Sequence, residues 1–151
     1  MKAVVQRVSC AEVQIDGEIV GRCGKGLMVL LGVAADDTPE HADIMAQKLA
    51  KLRIFCDENG KMNRSITDIG GQMLVVSNFT LLADTSHGNR PSFTGAGDPL
   101  HAEELYTYFL SQMNGLHIPT QSGRFGADMS VRIENDGPVT ILLDTAQWIR
   151  S

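Results

Sequence analysis

The sequence predicts an α+β fold, in which a β/β/α layered sandwich of mostly antiparallel sheets packs against two main helices. Three observations lead to this prediction. Most of the chain consists of short runs that alternate in polarity or are apolar throughout, as strands do. Only two segments repeat apolar residues at helical spacing, and the connections vary in length. The 151 residues are expected to form one domain, 1–151.

The amino-terminal part of the chain is predicted to contribute several strands. Residues 2–8 alternate in polarity, which predicts a strand. Arg7 lies in phase with small apolar residues of this strand, and we interpret it as a charge on an edge strand. Asp16-Gly17 between two alternating runs is typical of a hairpin turn. Residues 27–33 are apolar on both faces and therefore predict a central strand.

Two helices are predicted from apolar spacing and from their end signals. The first begins at Pro39, which suits the first helical position. The second begins at Asp98-Pro99 and ends at Gly115, a residue that favours helix ends. Their apolar stripes are expected to lie in the core: Ala42, Met45, Ala46, Leu49 and Leu52 in the first, and Ala102, Leu105, Tyr106, Phe109, Leu110 and Met113 in the second.

The remaining segments predict more strands and one long loop. Residues 72–76 form a second continuous apolar strand, and residues 129–134 and 139–143 read as two further strands. Residues 85–99 are polar and rich in Gly and Pro, and loops of this length in a compact domain are usually functional or disordered. Trp148 is expected to be a packing anchor.

The segment between the last two strands, Asn135-Asp136-Gly137-Pro138-Val139-Thr140, has the composition of an ordinary turn. Pro138, however, removes a ladder donor where the next strand should begin. A Gly-Pro pair also leaves two carbonyls and little side-chain bulk on show. A cis bond would let both carbonyls point the same way, but composition leaves the isomer open.

Composition excludes several classes of protein. The formal net charge of −5 argues against broad non-specific nucleic-acid binding, although a local basic patch remains open. No apolar run reaches membrane-spanning length, and the first eight residues do not resemble a targeting segment. Three widely spaced cysteines indicate a reducing, cytoplasmic setting: Cys10, Cys23 and Cys56.

Three familiar kinds of site do not fit the residues. Residues 21–26 lack the spacing of a phosphate-binding loop. The four histidines have no metal-ligand spacing, so neither a metal nor a cofactor is expected. Asp84, Ser86 and His87 are close in sequence, but a catalytic triad is normally assembled by the fold, so their proximity is a weak signal for an esterase.

Residues 77–81, Ser-Asn-Phe-Thr-Leu, form a more informative stretch. They follow a buried strand and offer two hydroxyls, an amide and several backbone N–H groups. Such a platform can hold a carbonyl or a developing oxyanion without a charged base. The residues alone also fit a plain strand end with Phe79 in the core.

Together, residues 77–81 and 135–140 resemble the signature pair of the D-aminoacyl-tRNA deacylase (D-tyrosyl-tRNA deacylase) family. The resemblance covers residues 1–143, and residues 144–151 lie outside it. One departure is Asn78, where the family usually has Gln. Further matching segments follow in order: Gln6-Arg7-Val8, residues 27–33, Arg53-Ile54-Phe55, Gly60-Lys61-Met62-Asn63, Arg90-Pro91-Ser92-Phe93 and residues 123–129.

The resemblance implies a homodimeric cytoplasmic enzyme that hydrolyses the ester between a D-amino acid and the 3′ adenosine of a transfer RNA. It places the catalytic pocket at Ser77, Asn78, Phe79 and Thr80. It also implies that Phe125 and Met129 line this pocket, and that a cis Gly137-Pro138 pair, held by Arg7, reaches into the partner's pocket. Main-chain carbonyls in the position of an L side chain would reject L-aminoacyl esters, whereas D-aminoacyl and glycyl esters would be accepted.

No side chain is an obvious general base. We therefore expect backbone N–H groups near Phe79 and Thr80 to hold the oxyanion, and the family resemblance implies that the 2′-hydroxyl of the RNA activates water. Thr80 as nucleophile is an alternative. Candidate phosphate contacts are Lys48, Lys51, Arg53, Lys61, Arg64, Arg90 and Arg124.

Two rival functions remain open at this point. One is a non-catalytic nucleic-acid-binding module on the same fold, which would keep basic residues without any deacylation. The other is a general esterase that uses Ser86 and His87. Retention of both signature stretches argues against the binding module.

Overall fold

Two helices and a curved six-stranded sheet make up most of the protein. The computed structural model describes residues 1–149, so the last two residues of the predicted domain 1–151 lie outside the described residues. The predicted α+β fold with two main helices is confirmed. The strands are β1 (Lys2–Ile15), β2 (Glu18–Cys23), β3 (Gly26–Gly32), β4 (Phe55–Cys56), β5 (Met62–Arg64), β6 (Gln72–Ser77), β7 (Thr120–Ser122) and β8 (Ser130–Asp144); the helices are α1 (Pro39–Lys51) and α2 (Pro99–Gly115).

Strand β1 lies inside the sheet and pairs with three strands, β2, β3 and β8. The sheet continues from β3 to β6 and then to β7. The pairs β1-β2, β1-β3 and β1-β8 are antiparallel, whereas β3-β6 and β6-β7 are parallel. Arg7 pairs with Leu27 of β3 on one side and faces β8 on the other. The prediction that Arg7 is an edge-strand charge is therefore wrong, because its strand is covered along both edges.

Strands β3 and β6 separate two hydrophobic clusters, as their apolar faces predicted. Leu27, Val29 and Leu31 of β3 pack with Met73 and Val75 of β6 on the face that carries the helices. On the other face, Met28, Leu74 and Val76 pack with Val8, Ala11 and Val13 of β1. Because the sheet curves, the β2 end lies over β7, where the Arg22 N–H donates to Gln121 Oε1 at 2.8 Å.

Both helices begin where predicted. Helix α1 follows Thr38 and starts at Pro39, and helix α2 follows Asp98, whose carboxylate accepts the N–H groups of Leu100 and His101 at 3.1 and 3.2 Å. The predicted stripes face the core, with Leu52 and Leu110 only half-buried. Helix α2 ends at Gly115, but the left-handed residue beyond it is His117, with φ of 60°.

The predicted hairpin turn and the carboxyl-terminal anchor also lie as expected. Asp16 and Gly17 join β1 to β2 with positive φ angles of 50° and 81°. Trp148 packs against the helix-side core, and the ammonium of Lys48 lies 4.8 Å from its ring centroid. Within residues 1–149, no helix has the length and apolar character needed to cross a membrane.

Candidate active site

A cavity of about 660 Å³ opens where β3 and β6 end. Its floor comes from these two strands, and its walls come from the start of α2 and from residues 125–129. Most of its lining is apolar. It brings together five of the predicted site residues: Ser77, Asn78, Phe79, Phe125 and Met129.

The chain beyond β6 turns at once into a 3₁₀ helix, Phe79–Leu82. The Asn78 N–H donates to Leu31 O at 2.8 Å, which fixes the turn to the end of β3. The first N–H groups of a helix have no partner within it. Accordingly, within residues 1–149 the N–H groups of Phe79 and Thr80 donate to no hydrogen-bond acceptor. Two backbone donors therefore remain available beside the cavity.

The side chains of this turn do not lie as they would in a plain strand end with Phe79 in the core. Phe79 is 59% exposed, so the placement of its ring in the core is wrong. The 3₁₀ helix turns the ring outward, where it meets Phe93 edge-on at 5.0 Å between centroids. The Thr80 hydroxyl donates to Asn78 Oδ1, and Thr80 does not line the cavity. The shorter amide of Asn78 is therefore held by its own loop.

Two aromatic residues of the cavity were not identified as site residues from the sequence. Tyr106 belongs to the apolar stripe of α2, and its hydroxyl donates to Val75 O at 3.0 Å. Burial raises the pKa of Tyr106 to about 12, so its hydroxyl stays protonated and the residue lines the cavity without acting as a base. Its ring lies 5.9 Å from that of Phe125. Phe93 belongs to the long loop. The sequence feature that could have identified it is the family-like segment Arg90-Pro91-Ser92-Phe93.

The remaining predicted residues, Arg7, Gly137 and Pro138, do not line this cavity. They form a second cluster on β8, which is one continuous strand through residues 130–144. The prediction of a turn between two strands is therefore wrong. Gln6 pairs with Thr140 and Val8 pairs with Asn135, so four residues of β8, 136–139, stand opposite Arg7 alone. We call residues 136–139 the excursion of β8; it is larger than the usual β-bulge, in which two residues oppose one.

Arg7 holds the excursion from one side. Its Nε donates to Asp136 O at 3.2 Å and lies 3.3 Å from Asp136 Oδ2, while Nη1 donates to Ile54 O at 2.8 Å. The Gly137-Pro138 peptide bond is cis. Residues 136–138 are exposed. Gly137 has φ of 133°, and a Cβ there would lie 3.1 Å from Arg7 Nη2 and 2.8 Å from Val139 Cγ2.

The long loop does not assemble a catalytic triad. Asp84 and Ser92 exchange backbone hydrogen bonds at 2.7 and 2.9 Å, which folds the loop back towards the cavity. The Ser86 hydroxyl donates to Asp84 Oδ1 at 2.6 Å, and this bond lowers the pKa of Asp84. A triad serine instead donates to histidine. Within residues 1–149, His87 forms no side-chain hydrogen bond, so the geometry gives no support to the esterase alternative.

All seven predicted phosphate contacts are exposed. Arg64 pairs with Glu58 at 2.7 Å, and Arg53 Nε donates to Asn63 O at 3.0 Å. Arg124 precedes the cavity-lining Phe125, and Arg90 lies in the loop that supplies Phe93. In the part of the chain that the structure describes, no group of three or more His, Cys, Asp or Glu side chains is arranged to hold a metal ion.

Known proteins resemble this chain over nearly its whole length. The family model described as D-Tyr-tRNA(Tyr) deacylase matches residues 4–144. Proteins named D-aminoacyl-tRNA deacylase from Deinococcus radiodurans and Ruegeria pomeroyi are 56% and 55% identical, each over 95% of this chain and 99% of the relative.

Two solved structures share the fold. One, titled c-Myc DNA Unwinding Element Binding Protein, is 44% identical with a TM-score of 0.91, and the match covers 95% of this chain and 98% of that chain. The other, titled as a probable eukaryotic D-amino acid tRNA deacylase, is 18% identical with a TM-score of 0.80, and the match covers 94% and 97%. The second likeness concerns the fold alone.

Proposed function

The chain belongs to the D-Tyr-tRNA(Tyr) deacylase family and is a hydrolase; we propose that it cleaves the ester joining a D-amino acid to the 3′-terminal adenosine of a transfer RNA. Water adds to the ester carbonyl carbon, and the bond to the ribose oxygen then breaks. The products are a free D-amino acid and an uncharged transfer RNA. Glycyl-tRNA is a second substrate, because glycine has no side chain to exclude.

The observation that carries this proposal is a pair of N–H groups, on Phe79 and Thr80, that have no acceptor within residues 1–149 and lie beside a cavity that Phe79 lines. Hydrolysis of an ester passes through a tetrahedral oxyanion. Fixed backbone donors stabilise that charge without having to reorganise, and each such donor is typically worth about 2.7–4 kcal/mol of barrier. The anchor between Asn78 N–H and Leu31 O keeps these donors in place.

The attacking water needs a proton acceptor, and the cavity supplies few. Only Tyr106 and Asp128 among its lining residues have side chains that normally ionise. Tyr106 stays neutral because burial raises its pKa to about 12, and Asp128 is exposed. As the resemblance to the deacylase family implies, we assign activation of the water to the 2′-hydroxyl of the substrate's own terminal ribose. The Thr80 nucleophile alternative is disfavoured, because that hydroxyl donates to Asn78 Oδ1 and lies outside the cavity lining.

We assign chiral selection to the excursion of a second copy of the chain in a homodimer. Residues 136–138 are exposed and do not line the cavity of their own chain, so they are free to enter the cavity of a partner. Within residues 1–149, β8 pairs with β1 only, which leaves its outer edge open. Leu142 on this strand is 73% exposed. A long open edge with exposed apolar side chains is suited to association.

The excursion then acts as a filter for the configuration of the amino acid. An L and a D aminoacyl group differ by the exchange of two substituents at one carbon. Once the amino group and carbonyl are gripped, main-chain atoms of Gly137 and Pro138 occupy the place of an L side chain. Main-chain atoms have no alternative rotamer, so an L substrate is rejected by overlap and by lost hydration.

A rival function comes from the relative titled as a DNA unwinding element binding protein. Under that function the chain would bind DNA without cleaving an ester. The net charge of −5 does not favour broad binding to a polyanion, and both signature stretches are present.

Hydrolysis of three esters tests the proposal: D-tyrosyl-tRNA, L-tyrosyl-tRNA and glycyl-tRNA, each incubated with purified protein and compared with its spontaneous hydrolysis. We expect rapid release from the D and glycyl esters and release from the L ester at the spontaneous rate. Absence of turnover of all three would refute the function, and turnover of the D ester without the glycyl ester would refute selection by exclusion alone.

A further inference from the structure

The side chain of Asn135 spans the excursion in β8. Its Oδ1 accepts the N–H of Val139 at 3.1 Å, and its Nδ2 donates to Val139 O at 3.1 Å. The same Nδ2 donates to Arg7 O at 3.3 Å. An amide side chain has one acceptor oxygen and two N–H donors, so both kinds of group on Asn135 are used.

These bonds replace the ladder that the excursion interrupts. Between the Gln6–Thr140 and Val8–Asn135 pairs, β1 offers only Arg7 to four residues of β8. The Asn135 amide therefore supplies the donor and acceptor that a facing peptide would supply to Val139. Both ends of residues 136–138 are thereby joined to each other and to the backbone of β1.

We propose that Asn135 is a positioning residue for chiral discrimination, an inference that rests on the proposed function. A filter made of main-chain atoms excludes an L side chain only if those atoms stay in place when the substrate binds. Arg7 restrains the excursion at Asp136, and Asn135 restrains it by closing its two ends. No other type of side chain of this length carries both a donor and an acceptor in one plane, as a peptide does.

Two variants and one control test this role. Asn135→Ala removes all three bonds, whereas Asn135→Asp keeps an acceptor for the Val139 N–H and loses both donations. The control is Gln6→Ala, which loses a bond to Thr140 Oγ1 at 3.4 Å beside the excursion, without spanning it. Two quantities are measured: the ratio of D-tyrosyl-tRNA to L-tyrosyl-tRNA hydrolysis rates, and hydrogen exchange at the Val139 amide of the free protein.

For Asn135→Ala we expect the D to L ratio to fall by about tenfold or more, mainly because the L ester is now cleaved. For Asn135→Asp we expect a smaller fall, and for Gln6→Ala a ratio within about twofold of the wild-type value. The Val139 amide should exchange faster in Asn135→Ala than in Gln6→Ala, because only the first variant removes its acceptor.

A wild-type ratio in Asn135→Ala, or a fall in the D rate alone while the L ester stays at its spontaneous rate, would overturn the positioning role. If Asn135→Ala does not fold, an unchanged ratio in Asn135→Asp overturns it. An inactive wild-type protein would instead refute the proposed function. Hydrogen exchange at the Val139 amide needs no substrate. An unchanged exchange rate in Asn135→Ala would by itself refute the restraint that Asn135 places on Val139.

Discussion

The guanidinium of Arg7 joins two parts of the chain by donating to Asp136 O at 3.2 Å and to Ile54 O at 2.8 Å. Only 12% of its side chain is exposed; the bond to Ile54 O is partly buried, whereas the bond to Asp136 O lies at the surface. Arg7 thereby fixes the excursion of β8 to the segment that precedes β4. Its fixed fork of N–H donors is suited to two carbonyls that lie in different directions.

Arg7→Ala should lower chiral discrimination because Asp136 O loses its donor and the excursion becomes free to move. We expect the D to L ratio of hydrolysis to fall by about tenfold or more and the free energy of unfolding to fall by about 1–3 kcal/mol. Arg132→Ala is the matched control, since Arg132 lies on β8 but is 70% exposed, with Glu12 at 3.6 Å. Equal effects of the two variants in rate assays and urea unfolding would contradict this role.

Phe79→Pro should abolish most of the activity, because proline has no N–H to donate to the oxyanion. The backbone can accept proline: Phe79 is the first residue of its 3₁₀ helix, and Asn78 before it is extended, with φ of −150° and ψ of 91°. We expect kcat to fall by about 10²–10³-fold.

Phe79→Ala is the control for this change, since it keeps the N–H and removes the same ring. Single-turnover hydrolysis of D-tyrosyl-tRNA would compare the two. Similar rates for Phe79→Pro and Phe79→Ala would mean that the ring, and not the backbone donor, matters.

Thr80→Ala should remain active, because the Thr80 hydroxyl donates to Asn78 Oδ1 and lies outside the cavity lining. We expect kcat within about tenfold of wild type, and Thr80→Ser should be closer still. Loss of turnover with unchanged binding of D-tyrosyl-tRNA would restore the Thr80 nucleophile alternative.

Tyr106 should make the protein less stable at alkaline pH. Burial raises the pKa of Tyr106 from 10.0 to about 12, so above pH 10 the unfolded chain loses this proton before the folded chain does. The free energy of unfolding should therefore be unaffected by this group below pH 10 and fall between pH 10 and 12, by at most about 2–3 kcal/mol. Urea unfolding of wild type and Tyr106→Phe across this range measures the contribution, and parallel curves would contradict it.

The elements predicted correctly are those that local chemistry determines. The hairpin at Asp16-Gly17 follows from two residues that tolerate positive φ. The helix starts at Pro39 and Pro99 follow from short-range signals, and the two-sided apolar runs in β3 and β6 follow from burial on both faces.

The wrong predictions concern features that depend on distant partners. Arg7 looked like an edge charge because β8, which covers its strand, lies about 130 positions further along the chain, with Gln6 paired to Thr140. Residues 136–139 looked like a turn because their conformation depends on Arg7 and on the Asn135 amide. Phe79 looked like a core residue because its exposure follows from the 3₁₀ turn and not from its own polarity.

The central claim, that the filter of one chain serves the cavity of its partner, is tested by a mixed dimer. One chain carries Gly137→Ala, whose Cβ would press on Val139 and Arg7 and so displace the filter. The other carries Phe79→Pro, which leaves its filter intact but removes its oxyanion donor. Two different affinity tags allow the mixed dimer to be purified away from both homodimers.

The measurement is the hydrolysis of L-tyrosyl-tRNA and D-tyrosyl-tRNA by this mixed dimer. Its one active cavity should meet an intact filter from the partner, so we predict about half of the wild-type D activity and no cleavage of the L ester. The Gly137→Ala homodimer should cleave the L ester. L cleavage by the mixed dimer at half the rate of that homodimer would show that the filter acts within its own chain, and would contradict the account.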